Sequence, residues 1–102
     1  MKKNIYICGK VTGDPNYYEK FFKEEKKLFI NGYEPYNPTA FIPPNKEWQK
    51  AMQTAIRLML LCDGVSLLPD WKKSKGAKIE AQLARELGMD VRDSGKWIKA
   101  EA

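Results

Sequence analysis

The stretch LLPDWKKSKGAKIEAQLARELG, residues 67–88, determines how the rest of the chain is interpreted. An apolar run ends at Pro69, a lysine-rich loop follows, and an amphipathic helix is predicted from Ser74 to Gly88. Glu80 falls within the apolar face of that helix. A carboxylate at such a position is either desolvated against the core, which is unfavourable, or faces a cavity that the core encloses. Glu80 is therefore the first candidate for a functional side chain.

Length and composition indicate a small globular protein. The 102 residues include 43% hydrophobic and 30% charged side chains, enough for one core, so we expect a single domain over 1–102 with 93–102 as a C-terminal tail. No apolar run reaches the length of a membrane span, and we expect a cytoplasmic protein without a signal peptide or anchor. Cys8 and Cys62 are then reduced thiols, and because the chain has no histidine we do not expect a zinc site. No other metal and no cofactor is expected.

The net charge of +5 does not predict binding to polymeric nucleic acid. Basic residues in the region 16–30 alternate with glutamates, which is typical of a solvated helix face. Lys72, Lys73 and Lys75 differ because they precede a helix N-terminus, where anions bind. Two interpretations of that loop stay open, an anion site and an ordinary lysine-rich surface.

The remaining sequence alternates strand and helix patterns. Strands are predicted at 4–8, 33–36, 65–68 and 89–92, and helices at 16–30, 45–62 and 74–88. This order favours a three-layer α/β/α sandwich with a small parallel sheet, flavodoxin-like or Rossmann-like. The residues expected to face the core on the first two helices are Tyr18, Phe21, Phe22, Leu28, Phe29, Trp48, Met52, Ala55, Met59 and Cys62.

Ligands of such sheets bind beyond the carboxyl ends of the strands, so the loops after the first and third strands should meet. The first loop, from Gly9 to Gly13, is glycine-rich enough to approach a ligand closely, although it is equally an ordinary loop. In the second, Ser74 is the expected N-cap, and free amides of Lys75, Gly76 and Ala77 would bind an anionic group such as a phosphosugar. A capped helix start without a ligand is the alternative. Glu25 is a second, weaker carboxylate candidate.

Three motifs carry a family resemblance. They are Ile5-Tyr6-Ile7 followed by a Gly-x-x-Thr-Gly turn, the run Cys-Asp-x-Val-x-Leu-Leu-Pro-x-Trp over 62–71, and Ser74-x-Gly-Ala-x-x-Glu80-x-x-x-Ala84. From Lys3 to about Val91 the chain resembles the small bacterial and phage proteins of the domain of unknown function 4406. That family is similar in turn to nucleoside 2-deoxyribosyltransferases and to 2'-deoxynucleoside 5'-phosphate N-hydrolases.

The resemblance implies a nucleoside deoxyribosyltransferase-like fold and an enzyme that cleaves or transfers an N-glycosidic bond. The substrate would be a 2'-deoxynucleoside or its 5'-monophosphate. Glu80 matches the nucleophile, Tyr6 matches an assisting tyrosine, and Ser74 matches a serine that contacts the 5'-phosphate. The other substrate-binding candidates are Gly9, Thr12, Gly13, Gly76 and Ala77. The resemblance also implies a homodimer or higher homo-oligomer.

Two positions depart from the family pattern. Ala55 stands where relatives usually carry an aspartate that serves sugar binding or protonates the leaving base, and Lys10 stands in place of a proline. Asp63, Asp70 and Glu25 are possible substitutes for the acid, with Asp63 also expected as a turn residue. A catalytically inactive nucleotide or phosphosugar binding module is therefore the alternative function. A third interpretation is a protein-interaction domain that uses exposed aromatic residues, namely Tyr17, Trp71 and Trp97.

Overall fold

The structure is a computed structural model that describes residues 2–98. Within this range the strands are β1 (Asn4–Cys8), β2 (Glu34–Tyr36), β3 (Gly64–Leu67) and β4 (Asp90–Asp93). The α-helices are α1 (Tyr17–Ile30), α2 (Trp48–Leu60) and α3 (Lys75–Glu86). Strand boundaries agree with the predicted ranges to within one residue. The helices begin slightly later than predicted because their caps and preceding turns are not helical.

All strand pairs are parallel, and the sheet order is β2-β1-β3-β4. The edge position of β2 agrees with its proline, Pro35, which cannot donate a ladder hydrogen bond. Helix α1 packs on one face of the sheet, whereas α2 and α3 pack on the other. The predicted three-layer α/β/α sandwich is therefore confirmed.

Alternation along β1 assigns each side chain to one layer. Ile5 and Ile7 are buried against α1, whereas Tyr6 and Cys8 are buried on the side of α2 and α3. Because Tyr6 shares its layer with α3, its ring points toward the helix that carries Glu80. The side-chain period of two in β1 thus brings the two main sequence candidates together.

The inward face of α1 was predicted only in part. Phe21 and Leu28 are buried as expected, but three aromatic residues assigned to the core are exposed, namely Tyr18 (60%), Phe22 (46%) and Phe29 (58%). The buried stripe is instead Phe21, Glu24 and Leu28, one residue per turn. Lysine ammonium groups cover two of the exposed rings, with Lys26 lying 4.9 Å from the centre of the Phe22 ring.

Trp97 is 1% exposed, which corrects its assignment to an exposed interaction surface. Its indole packs edge-to-face on Tyr33 at 5.4 Å between ring centres, and the Arg92 guanidinium lies 4.4 Å from its ring centre. A side chain at Gly64 would bring its Cβ to 2.7 Å from the Trp97 ring. The first part of the predicted tail therefore belongs to the core, and residues 99–102 lie outside the described residues.

Three findings concern residues 2–98 alone. No helix among them is long and apolar enough to cross a membrane. No group of three acidic, cysteine or histidine side chains in this range could hold a metal ion. Cys8 and Cys62 are free thiols, Cys8 being buried and Cys62 half-buried.

Candidate active site

A cavity of about 360 Å³ lies at the carboxyl end of β1. Its volume is in the usual range for small-molecule sites, and its place in the fold is where parallel sheets bind ligands. The walls come from the loop after β1, the segment between β2 and α2, and the inward faces of α2 and α3. Most of the sequence candidates line it: Tyr6, Gly9, Thr12, Ser74, Gly76, Ala77 and Glu80.

Glu80 and Tyr6 form a buried pair in the wall of the cavity. The Glu80 side chain is on the second turn of α3 and is 5% exposed, while Tyr6 is 1% exposed. The Tyr6 hydroxyl donates a hydrogen bond of 3.0 Å to Glu80 Oε2. The phenol therefore fixes one carboxylate oxygen of Glu80.

The surroundings of Glu80 change its acidity. Burial raises the pKa of the carboxyl from 4.5 to about 7, an effect that the hydrogen bond from Tyr6 and the nearby thiol of Cys8 partly oppose. At neutral pH the group is thus divided between acid and carboxylate. Burial and the adjacent Glu80 also raise the pKa of Tyr6 well above its ordinary value, so Tyr6 stays a hydrogen-bond donor.

Cys8 is a neighbour of the pair rather than a second nucleophile. Its thiol donates to the carbonyl of Ala77 at 3.4 Å. Burial, followed by the charge of Glu80, raises the pKa of the thiol well above its ordinary value. Because only the thiolate is strongly nucleophilic, Cys8 is inert at neutral pH.

The start of α3 is capped as predicted. Ser74 has an extended backbone, and its hydroxyl accepts a 3.1 Å hydrogen bond from the amide of Ala77. This bond corrects the expectation of three free amides, because the Ala77 amide is already occupied. The amides of Lys75 and Gly76 have no acceptor among the described residues. Two donors therefore remain at the helix start, beside a cavity that Ser74 and Gly76 line.

Two glycines of the site, Gly76 and Gly9, are required by the packing around them as well as allowing a ligand to approach the backbone. A Cβ at Gly76 would lie 2.8 Å from Met52 Sδ, so Gly76 lets α2 approach α3 closely. A Cβ at Gly9 would lie 2.6 Å from the side chain of Leu68, which follows β3. Gly13, a predicted binding residue, is not among the lining residues of the cavity. Its φ of +82° places it in a turn that favours glycine.

Comparison with known proteins identifies the family. Residues 3–93 match the family model described as domain of unknown function, DUF4406. The chain belongs to the DUF4406 family. The resemblance inferred from the motifs is thereby confirmed.

The structure is also similar to a 2-desoxiribosyltransferase from Leishmania mexicana, with a TM-score of 0.69 and 21% sequence identity. The match covers 89% of this chain and 63% of that one, so the DUF4406 chain spans less than two thirds of that protein. This likeness confirms the deoxyribosyltransferase-like fold. The chain matches no curated protein sequence.

Several residues that line the cavity were not among the site residues predicted from the sequence. Beyond Tyr17 on α1, they come mainly from the segment after β2: Pro38, Thr39, Ile42, Pro43, Pro44, Lys46 and Trp48. Trp48 was assigned to the core face of α2 but is 38% exposed, with the ammonium of Lys75 4.8 Å from its ring centre. The prolines of this loop were the available signal, because they favour a stiff segment that can cover a site.

Asn37 holds one of these walls in place. Its Oδ1 accepts hydrogen bonds from both the amide and the hydroxyl of Thr39, and its amide nitrogen donates to Glu25 at 3.0 Å. Glu25 therefore supports the cavity wall through Asn37 and does not line the cavity itself.

Glu80 is the only carboxyl group among the cavity-lining residues within 2–98. Asp63, one proposed substitute for the acid, accepts a 2.8 Å hydrogen bond from the amide of Asn4 at the opposite end of β1, in agreement with its expected turn role. Asp70 accepts from the Lys10 amide and pairs with Lys20. Ala55 itself lines the cavity, so a methyl group and not a carboxylate stands at this position of the wall.

The aromatic residues of the protein-interaction interpretation lie in different surroundings. Trp97 is buried, and Tyr17 lines the cavity. Trp71 is half-buried against the core on the side of α2 and α3, and two cations, Lys72 and Arg85, lie over its ring. These three residues therefore do not form one exposed apolar surface.

Proposed function

We propose that this protein cleaves or transfers the N-glycosidic bond of a 2'-deoxynucleoside or its 5'-monophosphate, with Glu80 as the nucleophile. The observation that carries this proposal is a buried carboxyl group in the wall of a cavity of nucleoside size, held by one phenol and with its pKa raised to about 7. Such a group at such a site is a strong catalytic candidate.

In the proposed reaction the Glu80 carboxylate attacks C1' of the sugar. The C1'–N bond breaks through an oxocarbenium-like transition state, and its electron pair leaves with the base. The product is a deoxyribosyl ester of Glu80. In hydrolysis, water attacks C1', the C1'–O bond to Glu80 breaks to restore the carboxylate, the sugar leaves, and the proton lost by the water balances the one that the departed base takes up from solvent. In transfer, the nitrogen of a second base attacks C1' instead and displaces the same carboxylate. Tyr6 orients the carboxylate oxygen that does not react.

The rest of the cavity supports the binding of such a substrate. The proline-rich wall and Trp48 offer apolar and aromatic contacts to a base. Ser74, the free amides of Lys75 and Gly76, and the nearby Lys46 offer donors and positive charge to a 5'-phosphate. Interactions with a phosphate distant from the reacting bond can supply energy for orienting C1'.

A specific observation favours the second candidate, an inactive nucleotide or phosphosugar binding module. Ala55 lines the cavity in place of the usual aspartate, and no other carboxyl group among the described residues replaces it there. Protonation of a leaving base by a positioned acid contributes about 10² to 10⁴ in rate, so its loss would leave binding intact and slow turnover.

The experiment is base release from individual deoxynucleosides and their 5'-monophosphates, followed by chromatography. Glu80→Gln keeps the size of the side chain and an acceptor for Tyr6 but cannot form the ester. Glu86→Gln, an exposed position on the same helix, is the matched control. Intact mass spectrometry after a rapid quench measures any deoxyribosyl adduct on the protein.

Base release that Glu86→Gln retains and Glu80→Gln abolishes supports the enzyme. Nucleotide binding by both the wild type and Glu80→Gln, with no base released by either, supports the binding module instead. Undiminished release by Glu80→Gln, or no binding and no release in any form, contradicts the assignment of Glu80 as nucleophile.

A further inference from the structure

Lys20, on α1, connects the two loops that border the cavity. Its ammonium donates to the carbonyl of Lys10 at 2.8 Å, to Asp14 Oδ2 at 2.5 Å, and to Asp70 Oδ2. An ammonium group has three N–H donors, and these three acceptors use all of them. Lys20 therefore has no donor left for a ligand, and any role it has in the site is indirect.

Two of the groups that Lys20 contacts lie on either side of one wall of the cavity, the loop after β1. Lys10 and Asp14 lie at the two ends of the loop that carries Val11 and Thr12, both of which line the cavity. The amide of Asp14 bonds back to the carbonyl of Val11 at 3.2 Å, which closes the loop into a turn. By holding both ends of the turn, the ammonium of Lys20 fixes where its middle lies.

Asp70 extends the network to the segment that precedes α3. Its Oδ2 receives Lys20, and its Oδ1 accepts a 3.1 Å hydrogen bond from the backbone amide of Lys10. Asp70 begins the short 3-10 turn Trp71–Lys73, which ends at Ser74, the cap of α3 and a lining residue. The Lys20 ammonium and the Asp70 carboxylate thus link the loop that carries Thr12 to the segment that leads to Ser74.

The network joins one ammonium group to two carboxylates. The three charged side chains of the network are between 21% and 24% exposed, so solvent screens them only partly. Hydrogen bonds with ionised partners are among the stronger ones in proteins.

We infer that Lys20 is a positioning residue that, with Asp70, holds the two substrate-binding walls at the spacing the substrate requires. The effect of Lys20 on enzyme kinetics rests on the proposed function, whereas its effect on the two loops does not. Removing it leaves Glu80, Tyr6 and their hydrogen bond in place. The loss should therefore appear in substrate binding and not in the chemistry of the carboxylate.

The test compares Lys20→Met with Lys23→Met, a matched change at an exposed lysine of α1 whose side chain makes no hydrogen bond among the described residues. Hydrogen exchange measured by mass spectrometry should be faster by about tenfold in segments 9–14 and 70–74 of Lys20→Met only. In base-release assays its KM should rise by about tenfold, while kcat stays within about threefold and the pH midpoint is unchanged.

Asp70→Asn is the second variant, for use if Lys20→Met does not fold. It keeps an acceptor for the Lys10 amide, removes the charge that faces Lys20, and should reproduce the faster exchange and the higher KM. Unchanged exchange in both segments overturns the inference, and so does faster exchange with an unchanged KM. A shifted pH midpoint overturns it too, because Lys20 would then act on Glu80. If the wild type releases no base, the proposed function fails, and the exchange measurement alone decides whether Lys20 holds the loops.

Discussion

Replacing Glu80 with glutamine should stabilise the folded protein at neutral and alkaline pH while abolishing the proposed activity. The folded-state pKa of Glu80, about 7, lies above its ordinary value of 4.5. Below pH 4.5 the group is protonated in both the folded and the unfolded states, so its burial carries no ionic penalty. As pH rises from 4.5 to 7, the unfolded state loses its proton first, and the free energy of unfolding decreases.

The magnitude follows from the two pKa values. Each tenfold change in a protonation equilibrium corresponds to about 1.4 kcal/mol, so the interval between 4.5 and about 7 amounts to roughly 3 kcal/mol. Glu80 is 5% exposed, and solvent screening therefore reduces this figure little. Glutamine has no charge to desolvate and keeps an oxygen that can accept from Tyr6. The advantage of Glu80→Gln should grow with pH up to about pH 7 and then remain constant.

The assay is urea denaturation of the wild type and Glu80→Gln at several pH values between 4.5 and 8.5, with the m-values compared to verify two-state unfolding. Glu86→Gln, on the exposed side of the same helix, should follow the wild type at every pH. Parallel stability curves for the wild type and Glu80→Gln would refute the reasoning, because they would mean that Glu80 ionises in the folded protein as it does in water.

Three further predictions concern the Tyr6–Glu80 hydrogen bond, the cap of α3 and the packing at Gly64. Tyr6→Phe removes a hydrogen bond to the carboxylate worth about 1.5 to 3 kcal/mol, so the pH at which base release is half-maximal should rise by about one to two pH units. Ser74→Ala removes the cap of α3 and should lower the free energy of unfolding, measured in urea, by about 1 kcal/mol. Gly64→Ala places a Cβ 2.7 Å from the Trp97 ring and should lower stability by about 1 to 3 kcal/mol, with a change in tryptophan fluorescence.

Each of the three has a matched control and a contradicting result. Cys62→Ser, which alters a half-buried thiol of the same layer, should leave the pH midpoint in place, and an unmoved midpoint in Tyr6→Phe contradicts the role of the phenol. Ser74→Gly should cost only a few tenths of a kcal/mol, and equal losses for alanine and glycine would contradict capping. Gly95→Ala has open space around the new Cβ and should be neutral, so equal effects at Gly64 and Gly95 contradict the packing argument.

The fold was predictable because alternating strand and helix patterns leave few topologies for a chain of this size. Strand boundaries were reliable for three strands since β1 ends before Gly9, β2 before Asn37 and β3 shortly before Pro69. The buried face of α1 was not predictable, because aromatic residues occur on nearly every side of this helix and periodicity cannot tell which of them face the sheet. Lysine ammonium groups lie over exposed rings such as Phe22 and Phe29, an arrangement that no hydropathy pattern reveals.

The positions of Glu80 and Tyr6 in the site were predictable because each follows from the periodicity of a single element. The helical period places Glu80 on the inward face of α3, and the alternation of side chains along β1 places Tyr6 on the same side of the sheet. The other walls of the cavity were not predictable, because they depend on where the long loop between β2 and α2 lies once the sheet has formed. Asn37 illustrates the difficulty: its hydrogen bonds to Thr39 and Glu25 join residues whose proximity follows only from the packing of α1 beside β2.

Two carboxylates are buried among residues 2–98, and the comparison between them explains why only one is assigned a function. Glu24, like Glu80, is 5% exposed, and burial raises its pKa as well. Its partner is the hydroxyl of Ser66, at 2.7 Å, within the layer between α1 and the sheet, and Glu24 does not line the cavity. Desolvation alone therefore cannot distinguish a catalytic carboxylate from a structural one. The distinction comes from the 360 Å³ of space beside Glu80, because a carboxylate can attack a sugar carbon only where that carbon can be placed.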